Sequence, residues 1–483
     1  MSRNKVSKNG AFSRRDFLKT GALSGIALGS GTLLSGCASN NGKAHPGDAK
    51  NIIFMVSDGM SSGTLTNTDQ FLRRNYGRPS NWISLYEQKR VGRGLMDMSS
   101  ASSIITDSGA ASSSWGCGQR VTNGRINMTD EEQALKPVLK IFRDAGKATG
   151  LATTTTITHA TPAGFGANVM ARGDEATIAT QYLERGYDVL LGGGNRVYSP
   201  DRRDDGRDLY NEHTQAGYRV VRKREDLKSF NGSEKLLGIF FNGHVPYTLD
   251  HMNIEEYRRD IPTLAEMTET AIQRLSRDPN GFILQVEGGR VDHAAHSNDA
   301  GGLIYDQIAF DDAIGKALEF AENRDDTLVI ITTDHGNANP GLNSGGDAGL
   351  DRIAEFRHTN NWCLSQLDES SSISRIRETV EYASKIEIRR DEAEILRKTI
   401  VDEYETLYRA MSRPGNVLGQ ILANYLSFNW VGRSHTSDYV ELGAYGPGSD
   451  RIRPFMLNTD MFDVMVEMGG VQAYADLETY QEA

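Results

Sequence analysis

Cysteine is scarce in this chain: three in 483 residues, at positions 37, 117 and 363. No CxxC pair and no Cys/His zinc-ribbon spacing occurs, which removes a zinc ribbon and a dithiol redox centre from consideration. Positive charge is also short, with 53 Lys+Arg against 64 Asp+Glu and a formal net charge of -11. That balance argues against a nucleic-acid-binding face, because tracking a phosphate backbone needs a basic surface. An anionic ligand would have to be met by a local source of positive charge. The rest of the composition is ordinary, 38% hydrophobic and 24% charged, and long enough for one large α/β domain or two medium ones.

The N-terminus is set aside before fold reasoning. SRRDFLK, residues 13 to 19, precedes the weakly apolar, Gly-rich run GALSGIALGSGTLLSG and resembles a twin-arginine export signal. LSGC, residues 34 to 37, is similar to a bacterial lipobox in which Cys37 is acylated after cleavage; the alternative is an ordinary signal peptide with a chance cysteine. The expected organisation is a signal over 1–36, a flexible Ser/Asn/Gly/Lys-rich tether over 37–50, and a single catalytic domain over 51–483. Such a protein is exported and periplasmic or cell-surface, touching the membrane only through lipid on Cys37. Removing residues 1–36 takes away six Lys/Arg and one acid, leaving 47 basic against 63 acidic residues and a net charge of -16. Cys117 and Cys363 could form one disulfide or remain two buried thiols.

Short apolar runs at 51–56, 150–153, 188–191, 236–241, 282–286 and 328–331 read as strands buried on both faces. Helical periodicity fills the intervals at 136–147, 175–185, 261–277 and 303–322. This alternation implies an α/β fold, a doubly wound, mostly parallel central sheet with helices on both faces. Residues 439–445 read as a late strand and 459–468 as a closing helix. From about 340 to 430 the alternation breaks into a helical insertion, with apolar positions at Ile373, Ile376 and Val380 and then at Ile395, Ile400, Leu407 and Met411. Asp391 followed by Glu394 reads as a capping pair opening the second segment.

Three of the strand runs end on an acid: IIFMVSD at Asp58, ILQVE at Glu287 and LVIITTD at Asp334. One Asp after a strand is usually a turn or a helix cap. Three such acids in an open α/β sheet should converge, because the ligand crevice lies beyond the carboxyl ends of the strands. Each has company. Asp292 and His296 are four residues apart, on one face of a helical turn; His335 is adjacent to Asp334; His159 and Thr161 lie in THATPAG; His435 lies in RSHTSD. Mixed imidazole and carboxylate suits zinc, whereas oxygen ligands suit magnesium.

TDSGAASSSWGCG, residues 106 to 118, puts Ser108 at the mouth of a small-residue helix. Free N–H groups and the positive dipole end there favour an anion. A divalent cation beside the hydroxyl would make it a nucleophile. Without metal ligands the same stretch reads as a Ser/Gly-rich loop.

The ordered set VSDGM, TDSGAAS, HATP, VEGGRVDHAAH, TTDHG and SHTSDYVELGAYGPG resembles the alkaline phosphatase family, over nearly the whole chain after the signal apart from the insertion. The resemblance implies hydrolysis of phosphate monoesters through a phosphoserine at Ser108. It implies one zinc on Asp292, His296 and His435, a second on Asp58, Asp334 and His335, and a magnesium shared by Asp58 with Thr161, Glu287 and His159. Arg172 matches the family's phosphate-clamping arginine and Asp107 the acid that orients it. His159 stands where some bacterial members have aspartate and His293 where some have lysine, while animal members carry histidine at both. Arg290 is read as structural. The expected partners are small phosphate monoesters and, because family members are commonly homodimers, a second copy of the chain. Two other functions stay open: a phosphodiesterase of the same superfamily, distinguished by its pocket walls, and a lipoprotein that binds metal or phosphate without turnover. A sulfatase is disfavoured because no CxPxR-like motif surrounds Ser108.

Overall fold

Alternation inside the apolar runs sorts side chains onto two faces. In β1 (Asn51–Ser57), where every position is buried, Ile53 and Met55 enter one hydrophobic cluster while Ile52, Phe54 and Val56 enter another. Both faces of the sheet are therefore covered, as a parallel sheet requires. The computed structural model describes residues 45–88 and 90–472; the twin-arginine segment and Cys37 lie outside the described residues.

The remaining strands are β2 (Gly92–Asp97), β3 (Ala148–Thr156), β4 (Val189–Gly193), β5 (Tyr218–Val221), β6 (Lys235–Ile239), β7 (Phe282–Glu287), β8 (Thr327–Thr333), β9 (Gly336–Asn337), β10 (Pro340–Leu342), β11 (Phe428–Trp430), β12 (His435–Thr436), β13 (Val440–Tyr445) and β14 (Phe455–Leu457). Ten of them form one sheet in the order β14-β2-β13-β8-β1-β7-β3-β4-β6-β5. The pairings are parallel except those of β13, which runs antiparallel to both β2 and β8. The doubly wound, mostly parallel sheet expected from the alternation is thus present, with its late strand reversed. β5 and β14 escape the sequence pattern because they are short edge strands, and β2 because alternate positions in it are only half-buried or exposed.

One face is covered by Leu264–Leu275, opened by a reciprocal Thr263/Glu266 capping box, and by the 22-residue helix Ala300–Ala321, capped by Asp299. Ser108–Cys117, Val138–Asp144, Ala160–Gly166, Glu175–Arg185 and Asp460–Met468 cover the other.

The insertion contains five helices rather than two: Gly346–Ile353, Asn360–Ser365, Ile373–Ser384, Arg390–Ile400 and Pro414–Leu426. Ile376, Val380 and Leu396 join the same hydrophobic cluster as β1 and β7. Two details differ from expectation. The fourth helix ends at Ile400, and Leu407 lies beyond it fully exposed. The capping pair at its start is also displaced: Glu392 accepts the Arg389 N–H at 2.9 Å, while Asp391 pairs with the Arg389 side chain and Glu394 with Arg390. Arginine has no acceptor to close the reciprocal bond, so only half of a capping box forms. Cys117 and Cys363 are free thiols, the latter buried.

Candidate active site

Strand register brings the three terminal acids together. Val56 is aligned with Glu287 and Ser57 with Thr333, so Asp58, Glu287 and Asp334 emerge side by side from adjacent strands. All three are 0% exposed. Gly59 follows with φ +71, and a Cβ there would lie 2.5 Å from Asp292 Oδ1. Only glycine lets the β1 turn pass this close to the next acid.

Three groups of donor atoms result, each with its atoms within 4.8 Å of one another: Asp292, His296 and His435; Asp58, Asp334 and His335; Asp58, His159 and Glu287. The helix Arg290–His296 carries Asp292 and His296 on one face, while His435 arrives on the ribbon β12–β9. His296 Nδ1 donates to the Arg433 carbonyl at 2.7 Å and His435 Nδ1 to the Thr106 carbonyl at 2.9 Å. Because a carbonyl only accepts, each neutral ring must carry its lone pair on Nε2. Those two Nε2 atoms lie 3.1 Å apart, at 3.2 and 3.6 Å from the Asp292 oxygens. Such lone pairs repel unless a proton or a cation sits between them.

The second group is more deeply buried. His335 Nε2 lies 3.2 Å from Asp334, 3.6 Å from Asp58 and 3.3 Å from Ser108 Oγ. Its ring stacks on that of His435 at 3.6 Å, so the first two groups are neighbours. Thr161 Oγ1 donates to Asp58 at 3.3 Å, and His159 Nδ1 is 3.9 Å from Glu287, which also accepts from Thr153 and Thr155.

Asp58 Oδ1, Asp334 Oδ2, Glu287 Oε1 and His159 Nδ1 are buried yet have no hydrogen-bond partner among the described residues. Orphaned acceptors of this kind are rare in a folded interior. Burial, then the nearby Asp334, Asp292 and Glu287, push the Asp58 carboxyl well above its usual range. Burial also opposes charge on Asp292 and Asp334, but the adjacent histidines outweigh it and hold both carboxyls below theirs. The deficit of positive charge is centred on Asp58. Hard oxygens and imidazole nitrogens converging on such a deficit fit divalent metal ions.

Ser108 opens the helix Ser108–Cys117 and is 2% exposed. The preceding Asp107 caps that helix through Oδ1 and accepts Arg172 at 2.9 Å and the Gly124 N–H at 3.0 Å through Oδ2. Arg172 also lies 3.4 Å from His159 Nε2, which ties it to the third group. His293 faces the same region, 5.7 Å from the His159 ring. Its Nδ1 accepts from Arg290 at 2.8 Å, and Arg290 packs 3.6 Å over the Tyr247 ring. Burial, then Arg290, keep His293 neutral.

All thirteen residues singled out in the sequence therefore meet on one rim. Sequence reasoning missed four supporting groups. Asn337 donates to Asp292 Oδ1 at 2.7 Å, Thr153 and Thr155 hold Glu287, and His244 packs 4.6 Å from His293. The threonines stand in the run TTTT, residues 153 to 156, whose alternate hydroxyls had to point at something polar. His244, in a Gly/Asn-rich loop, carries no comparable signal.

The profile of the alkaline phosphatase family matches residues 49–471. The chain belongs to the alkaline phosphatase family. It is 29% identical to alkaline phosphatase 3 of Bacillus subtilis (strain 168) over 460 residues, covering 92% of this chain and 95% of that one. It is 31% identical to the alkaline phosphatase of Escherichia coli (strain K12) over 337 residues, 60% of this chain and 70% of that one. A crystal structure of Thermus thermophilus alkaline phosphatase matches at TM-score 0.82 and 33% identity, covering 90% of this chain and 95% of that one. Alkaline phosphatases are metal-dependent enzymes, and the donor groups of this member lie where its fold focuses strand ends. The family resemblance carried by the six motifs holds across the chain.

Proposed function

We propose that the protein hydrolyses phosphate monoesters through a phosphoserine formed on Ser108, with two zinc ions and one magnesium ion. The observation that carries this reading is the placement of Ser108 Oγ, 3.3 Å from His335 Nε2 at the junction of the donor groups, with Arg172 aimed by Asp107 alongside. Asp292, His296 and His435 would hold one zinc, Asp58, Asp334 and His335 the other, and Asp58, Thr161, Glu287 and His159 the magnesium. When bound, these ions acidify the serine hydroxyl and offset negative charge on the departing oxygen.

The chain's own residues do the rest. Ser108 Oγ gives up its proton to water and attacks phosphorus; the new O–P bond forms as the ester O–P bond breaks, and the alcohol leaves with the electron pair and takes a proton from water. Water then attacks the phosphoserine, releasing phosphate and restoring the hydroxyl. Arg172 is a planar, permanently charged donor for the phosphate oxygens, and Asp107 keeps it in position. This local charge lets a chain of net charge -11 hold an anion. Burial of Ser108 restricts competing water.

The test is turnover of p-nitrophenyl phosphate beside bis-p-nitrophenyl phosphate, with and without chelator. Chelator-sensitive hydrolysis of the monoester is expected to dominate. Preference for the diester would favour the phosphodiesterase reading, and inactivity toward both with metal restored would favour a binding protein. We place the working enzyme outside the cytoplasm, held by acylated Cys37. Cys37→Ala should release it from the membrane fraction, and an unchanged distribution would count against the anchor.

A further inference from the structure

The rim beside Asp292, His296 and His435 carries two arginines that the mechanism above does not use. Arg433 lies two residues before His435, and its carbonyl accepts the His296 Nδ1–H. Arg413 precedes the helix Pro414–Leu426, whose Asn416 donates to the His296 carbonyl at 2.8 Å. Gly415 of the same turn lies against Ser297. Arg433 is thus anchored by its own carbonyl to the residue that would hold the first zinc, and Arg413 opens the helix whose Asn416 binds that same residue. Among the described residues neither side chain has a carboxylate or hydrogen-bond partner, and Arg433 Nε is buried without one. The two segments that carry them converge on His296, from the Arg433 carbonyl on one side and Asn416 on the other.

Elsewhere on this surface arginines pair with acids, as Arg74 does with Asp351 and Arg207 with Glu212. The pair therefore has capacity for an anion that the protein does not supply. Direction matters as well. Ser108 sits against His335, and in an in-line displacement the leaving oxygen departs opposite the nucleophile, toward the Asp292–His296–His435 group. The segments that carry the two arginines frame the side from which the alcohol would leave. The neighbouring rim is apolar and open, with Val431 72% and Tyr408 57% exposed, and a Cβ on Gly432 would lie 3.6 Å from the Tyr408 hydroxyl.

We propose that Arg413 and Arg433 form a subsite for a second anionic group on the alcohol portion of the substrate, a carboxylate or a phosphate. The inference rests on the phosphomonoesterase reading and sharpens it: the preferred substrates are monoesters whose leaving alcohol is itself anionic. Attraction between the exposed Arg413, the half-buried Arg433 and one anion corresponds to roughly a tenfold preference.

The experiment compares kcat/KM for 3-phosphoglycerate and glycerol 3-phosphate, which share the reacting P–O–CH2 bond and differ in one remote carboxylate. Fructose 1,6-bisphosphate against fructose 6-phosphate supplies the arm with a second phosphate. The metal-loaded enzyme should favour the more anionic member of at least one pair by about tenfold. Arg413→Ala with Arg433→Ala should bring that ratio close to one. Arg413→Ala alone, at an exposed position, should lower it partway, and Arg433→Lys should preserve more of it than Arg433→Ala. A wild-type ratio near one in both pairs, or a ratio unchanged in the double variant, overturns the subsite. Because the readout is a ratio, a general loss of activity in a variant cancels. Failure of the metal-loaded wild type to hydrolyse either 3-phosphoglycerate or glycerol 3-phosphate would overturn the phosphatase reading and this inference with it.

Discussion

The acids at the sheet edge and those along the helix Ala300–Ala321 are buried to a similar degree, yet they are kept in opposite ways. Asp299 accepts the N–H groups of Gly302 and Asn360 at 2.8 and 2.6 Å, Asp306 that of Thr248 at 3.2 Å, and Asp311 those of Asn81 and Trp82 at 2.9 and 3.2 Å. Asp58, Glu287 and Asp334 each keep an oxygen with no partner among the described residues. In the helix set burial pushes Asp299 and Asp306 up to about 7 and Asp311 to about 6, so a proton relieves each one separately. At the sheet edge the carboxylates crowd one another, and one shared cation relieves several together. Burial of an acid is therefore a poor marker of a site. An orphaned oxygen facing a second acid is a good one.

The comparison can be broken at several points. Removing the nucleophile should cost most: Ser108→Ala should lower kcat/KM on the order of 10^3-fold or more while bound metal stays near normal by elemental analysis. Substantial residual activity would rule out the covalent route. Asp58→Asn should reduce kcat/KM about 100-fold or more through lost metal. In metal-free protein at neutral pH the same change should raise the melting temperature, because the fold no longer has to hold a buried carboxyl that its neighbours push well above its usual range. A lower melting temperature there would show that the sheet-edge acids do not repel as argued.

Arg172→Ala should raise KM for p-nitrophenyl phosphate by roughly 10- to 100-fold, the worth of charge-assisted hydrogen bonds to the phosphate. Loss of zinc in that variant would mean the arginine supports the metal groups instead. On the helix, Asp311→Ala should cost about 1–3 kcal/mol in denaturant unfolding, since the N–H groups at Asn81 and Trp82 lose their acceptor. Its kcat/KM should stay unchanged, which separates the two sets of acids by function.

The smallest effect is a pH slope. Asp306 and Asp311 have folded pKa values raised above the unfolded 3.8, so between about pH 4 and 7 the native state holds protons that the unfolded chain has released. Their contribution to stability is present in full below pH 4 and is lost as pH rises through that window. Asp306→Asn should flatten the decline of melting temperature with pH at constant metal concentration. An unchanged slope would mean that Asp306 is ionised in the fold, paired with more than Thr248.

Much of this was legible before any coordinates. The runs that end in Asp58, Glu287 and Asp334 announced parallel strands and their shared edge, because an apolar run followed by an acid is local chemistry. The spacing of Asp292 and His296 announced one helical face. Less legible was the insertion, where Leu407 fits a helical period yet lies exposed beyond the helix end at Ile400. Periodicity registers the spacing of apolar residues, not whether a neighbouring surface exists to cover them. Asp391 and Glu394 misled for a related reason, since a capping pair is defined by where the helix starts, and a boundary shift of two residues moves the partners.

By itself the sequence determined the central strands and the long helices between them, and which residue types stand at their ends, because turn chemistry and side-chain period are set by near neighbours. Only the tertiary structure decided that β13 runs against its neighbours, that Asp107 holds Arg172, that Asn337 supports Asp292, and that the segments of Arg413 and Arg433 meet at His296. Those relations join residues far apart in the chain. They follow from burying two faces of one sheet at once, a constraint no local stretch contains.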